Sequence, residues 1–96
     1  MFEKREVRID GGEVLGLRVE LPGAPLLLLI APKGYVMCGY LNLETAEKLG
    51  QAAAVVTGVR GFEDMLEAKV ARATRRAKEL GVEEGISCRE ALRLML

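Results

Sequence analysis

The sequence predicts an α+β fold: a mostly antiparallel sheet from the N-terminal half, with the helices packed on one face. Three observations carry this. Residues 26–30 (LLLLI) are apolar without a break and lie between Pro25 and Pro32. Period-two alternation and tight-turn residues fill residues 1–40. Steps of three and four between apolar residues, with capping residues at the ends, dominate residues 62–95. At 96 residues one domain is expected, with 1–40 as a β-meander and 41–96 as a helix–strand–helix–helix half.

Taken in order, Val7 and Ile9 alternate with Glu6, Arg8 and Asp10, which marks a half-buried strand. Asp10-Gly11-Gly12 is a strong hairpin signal. Leu15, Leu17, Val19 and Leu21 alternate with Gly16, Arg18 and Glu20 in a second strand, ended by Pro22-Gly23. Leu26 to Ile30 form the third. Ala31-Pro32-Lys33-Gly34 reads as a turn, in which Pro32 presets φ and Gly34 accepts positive φ. Tyr35 to Tyr40 return as a fourth strand. Asn42 suits a helix N-cap, Leu43 to Leu49 a short helix, and Gly50 its stop. Ala52 to Thr57 (AAAVVT) read as a buried strand, reached from the fourth by a crossover if the two are parallel. Phe62, Leu66, Val70, Ala73, Ala77 and Leu80 fall on one stripe, so a single helix is expected over 62–80 with Gly81 beyond it. Ser87-Cys88-Arg89-Glu90 has capping-box spacing and opens a last helix with Cys88, Ala91, Leu92 and Met95 facing inward.

The third strand has a consequence for assembly. Successive side chains of a strand point to opposite faces, so an unbroken apolar run supplies no polar face. Helices from a chain this short cover one face, and another copy is the simplest cover for the second. Exposing two or three leucines costs about 1.5–3 kcal/mol each, a large part of a typical domain stability of about 5–15 kcal/mol. Leu26, Leu27, Leu28, Leu29 and Ile30 are therefore the expected oligomer interface.

Composition narrows the function. Basic and acidic residues balance at 14 each, which argues against a general polyanion binder. There is no histidine. That removes Ser-His-Asp and Cys-His catalysis within one chain, together with histidine metal sites. Two cysteines are too few for a disulfide scaffold. The first ten residues lack the apolar core of a signal peptide, and no apolar run reaches membrane-spanning length, so the cytoplasm is the expected compartment. No cofactor and no metal are expected.

Cys38 is the one catalytic candidate, a thiol that needs a nearby cation to become nucleophilic. Its competing role is a small core residue. Cys88 begins a helix but has Glu83, Glu84 and Glu90 around it, which oppose thiolate. Thr57 to Asp64 lead from a buried strand through glycines to a helix start, the general layout of an anion cradle. Neither the Walker nor the dinucleotide glycine pattern is present. Asn42, Thr57, Arg60, Glu63 and Asp64 are the candidate ligand-binding set, provided the fold brings them together. Lys69, Arg72, Arg75, Arg76 and Lys78 make the outer side of helix 62–80 basic, a possible nucleic-acid contact. A solvated helix face is the plainer account, and nucleic acid is not the expected partner.

Three segments carry a family likeness: GYVMCGYLN at 34–42, GVRGFEDML at 58–66 and LGVEEGISCREAL at 80–92. The chain resembles the YunC-like family of small bacterial and archaeal proteins. The resemblance implies an α+β fold and self-assembly as tetramers through the N-terminal sheet, and it implies no reaction. The expected function is a homo-oligomeric interaction or small-ligand-binding module. A small histidine-free enzyme near Cys38 or the Thr57–Asp64 loop, and a nucleic-acid binder, are the alternatives.

Overall fold

A computed structural model describes residues 2–96. The elements run β1 (Phe2–Ile9), β2 (Gly12–Val19), β3 (Leu26–Ala31), β4 (Gly34–Met37), α1 (Leu43–Lys48), β5 (Ala53–Val55), α2 (Phe62–Glu67), β6 (Arg72–Ala73), α3 (Arg75–Glu79) and α4 (Cys88–Leu94). The α+β class holds. One six-stranded sheet is ordered as in the sequence, β1 to β6, and only the β4–β5 pair is parallel.

The two hairpin turns fall where expected, but Gly34 is not at positive φ; its lack of a side chain serves a close approach to Ala52 instead. Asp10 and Gly11 join β1 to β2, with Ile9 opposite Gly12 and Gly11 at φ 93°. Pro32 and Lys33 join β3 to β4, with Ala31 opposite Gly34. Met37 is the last residue of β4. The chain then turns, Leu41 N–H donating to the Cys38 carbonyl, so the fourth strand is shorter than the expected Tyr35 to Tyr40. Asn42 caps α1 by accepting the N–H groups of Glu44 and Thr45.

The sheet has two different faces. On one, Leu27, Leu29, Ala31, Val36 and Ala54 meet Phe62, Met65 and Leu66 of α2 and Cys88, Ala91 and Leu92 of α4, and α3 adds Ala77. Phe62 can lie close because Gly16 is beneath it; a Cβ there would be 2.9 Å from the ring. On the opposite face Met37, Ala53 and Val55 pack beneath Leu43 and Ala46 of α1. The expectation that the helices share one face is thus corrected for α1. The connection between two adjacent parallel strands lies over one face of the sheet, and this one chose the face that α2 and α4 leave open.

The single helix expected over 62–80 is not formed. α2 ends at Glu67, Ala68 is extended, Lys69 bridges to Ser87, and β6 intervenes before α3. The edge of β5 is the reason. Ala71 N–H donates to the Val55 carbonyl at 2.8 Å and Thr74 N–H to the Ala53 carbonyl at 2.9 Å. A straight helix would leave these buried β5 groups without partners. The apolar stripe misled because Val70 and Ala77 are buried in the broken chain too.

Candidate functional site

Two regions hold the candidate chemistry. The first is the half of the sheet that no helix covers. Cross-strand pairs Leu15–Ile30, Leu17–Leu28 and Val19–Leu26 put six apolar side chains on the face opposite α2 and α4. Leu28 reaches the α1 core and Leu26 the larger core, whereas Leu15, Leu17, Val19 and Ile30 belong to neither. They are half-buried only by their neighbours in the sheet. Lys4 and Glu6 stand on the same face of β1, opposite Leu17 and Leu15.

The five residues of the expected interface are divided between the two faces. Leu27 and Leu29 are 0% exposed and face the helices, so they are core residues. Leu28 and Ile30 point the other way, while Leu26, on their side by register, packs against the larger core at the end of β3. Their partners on β2, Leu15, Leu17 and Val19, share that face, and the alternation of these three residues was the signal for it.

The second region is a groove of about 520 Å³ where the chain leaves β4 and β5. Asn42 and Thr57 both line it, and Arg72 of β6 faces them from the next strand. Arg60, Glu63 and Asp64 do not line it, so the five-residue ligand set is divided. Arg60 and Asp64 hold their own loop together: Arg60 N–H donates to Asp64 Oδ2 at 2.9 Å, and Arg18 Nη1 donates to the Arg60 carbonyl at 2.8 Å. The Asp64 carboxylate thus stands where the expected anion cradle would have been.

Cys38 is 4% exposed in the larger core, and its Sγ accepts the Leu27 N–H at 3.3 Å. A smaller groove of about 270 Å³, lined by Pro25, Tyr40 and Val59 among others, reaches it. Among the described residues no cation lines that groove; Lys33 is at the β3–β4 turn. Cys88 is fully buried, and burial pushes its thiol up to about 12 despite the neighbouring Arg89. A neutral thiol of this kind is packing material. The basic helix face has lost its helix. Lys69 is in a bridge, Arg72 in β6, and Arg75, Arg76 and Lys78 in the five-residue α3, so no single helix carries all five. Among the described residues no helix is long and apolar enough to cross a membrane.

A family model described as a domain of unknown function (DUF1805) matches residues 37–95, from the end of β4 through α4. The chain belongs to the DUF1805 family. It is 32% identical over 100 residues to the uncharacterised protein YunC of Bacillus subtilis, covering 100% of this chain and 99% of that protein. The YunC-like likeness of the three quoted segments is therefore borne out. The fold matches the crystal structure of a protein of unknown function from Thermoplasma acidophilum, with a TM-score of 0.94 and 38% identity over 100% of this chain and 94% of that one. The DUF1805 match contains the whole lining of the larger groove, while the uncovered strands β2 and β3 lie before it.

Proposed function

We propose that this DUF1805 protein is a homo-oligomeric interaction module whose uncovered half-sheet lies against the same half-sheet of a second copy. One observation carries the reading: Leu15, Leu17, Val19 and Ile30 form a contiguous apolar strip that joins neither core of its own chain. A polar occupant would leave that strip unmatched. An identical strip matches it in chemistry and in extent, as two-fold interfaces require. Lys4 and Glu6 beside the strip are opposite charges two residues apart, so a two-fold copy offers each an opposite partner. The stoichiometry we propose is four, as the YunC-like resemblance implies, with this contact as one of the two kinds a tetramer needs.

Sedimentation at micromolar concentration tests it. The native chain is expected to run as an oligomer, and Leu17→Lys as a folded species of lower mass with unchanged circular dichroism. A native chain that sediments as a monomer overturns the reading.

A further inference from the structure

The groove beside α1 has the size of a small-ligand site and a lining of mixed charge. Its volume of about 520 Å³ lies in the range of small-molecule sites. It opens at the carboxyl ends of β4 and β5, the parallel pair, where diverging connections commonly leave room for a ligand. Tyr40 and Val55 give it apolar walls. Its polar groups come from three separate segments and are mostly donors. Asn42 Oδ1 is committed to the N–H groups of Glu44 at 2.8 Å and Thr45 at 3.4 Å, which leaves the amide NH2 as the free end. The Thr57 hydroxyl and the Arg72 guanidinium have no hydrogen-bond or ion-pair partner among the described residues. Glu44 is the single carboxylate on the lining and is likewise in no ion pair.

We propose that this groove binds a small zwitterion, a free α-amino acid, with the carboxylate held by the Asn42 amide, Thr57 and Arg72 and the ammonium by Glu44. A lining with one positive and one negative side chain matches a molecule that carries both charges. A phosphate would meet Glu44 as a like charge. Val55 and Tyr40 favour an apolar side chain on the ligand. The groove is lined by one chain, so this inference does not depend on assembly.

The test is calorimetric titration of the native protein with the free amino acids, their N-acetyl and amide derivatives, and inorganic phosphate. At least one apolar amino acid is expected to bind, and blocking either of its charged groups is expected to weaken it at least tenfold. Asn42→Asp keeps the helix cap, because aspartate accepts the same N–H groups. It removes the amide donors, and is expected to lose binding at least tenfold with its thermal midpoint unchanged. Arg72→Gln is expected to do the same. Absence of binding by every free amino acid at millimolar concentration overturns the proposal. So does binding that survives both substitutions, or a groove that takes phosphate in preference. Repeating the titration on Leu17→Lys separates this outcome from the fate of the assembly reading.

Discussion

Thr74 Oγ1 accepts the Ala53 N–H at 3.0 Å and hands its own proton to the Gln51 carbonyl at 2.8 Å. The same oxygen accepts the Ala77 N–H at 3.2 Å and so caps α3. One hydroxyl, 1% exposed, thereby ties the last helix of the broken segment to the start of β5. Thr74→Val keeps the shape and strands these groups in the interior. It is expected to cost about 3 kcal/mol, from a lost cap and unsatisfied buried partners. Urea unfolding at fixed protein concentration measures it. A cost under about 1 kcal/mol would mean that the β5 edge is satisfied without Thr74.

Gly34 has no room for a side chain. A Cβ there would lie 2.5 Å from the Ala52 carbonyl oxygen and 3.1 Å from Met95 Sδ. The carbonyl is backbone and accepts the Tyr35 N–H, so it cannot swing aside. Gly34→Ala is expected to cost about 1–3 kcal/mol through forced displacement. Gly39→Ala, whose Cβ would meet only Thr57 Cγ2 at 3.7 Å, is expected to be close to neutral. Thermal midpoints of the two variants make the comparison.

Neighbouring residues of β2 and β3 should separate folding from assembly. Leu29→Ala empties a fully buried site and is expected to cost about 2–5 kcal/mol of unfolding free energy. Leu15→Ala trims the uncovered strip. Its expected effect is a weaker association constant by sedimentation and a smaller loss in unfolding at low protein concentration. Equal effects of both substitutions on both measurements would count against the division between core and interface.

Cys88 makes stability depend on pH in the alkaline range. Its thiol is pushed up to about 12 by burial, against 9.0 for an ordinary thiol. Below about pH 9 both folded and unfolded chains keep the proton, and the thiol contributes no slope. Between about 9 and 12 only the unfolded chain releases it, so stability falls as pH rises, by up to about 1.4 kcal/mol per pH unit. Cys88→Ala is expected to flatten the decline between pH 9 and pH 10.5 in reducing buffer. A parallel decline in both proteins would show that the thiol titrates normally.

The N-terminal half was legible because its signals are local. Asp10-Gly11 and Pro32-Lys33 fix the two tight turns, and the alternation of β2 assigns its faces. Even the doubly apolar β3 was readable as a strand, since Leu26 to Ile30 is too short for a typical helix and lies between Pro25 and Pro32. The stretch from Ala68 to Thr74 was not legible. Its structure is dictated by the hydrogen-bonding needs of β5, some fifteen to twenty residues away, and a two-residue strand is too short to alternate. The capping ability of Thr74 was the one available cue, and the helical stripe hid it. The groove was half visible. Asn42 and Thr57 were singled out from their own segments, but Arg72 joins them only through the β5–β6 pairing, with Val55 opposite Arg72.

The six residues of α1 act as a bookend. They shelter Met37, Ala53 and Val55 at one end of the second face, and leave Leu15, Leu17, Val19 and Ile30 open at the other. Were α1 to fray, the greasy area would run on across β4 and β5, and the two-fold contact proposed above would lose its limit. The proposed assembly therefore predicts that loosening the Asn42 cap of this short helix lowers the concentration at which the chain stays in solution.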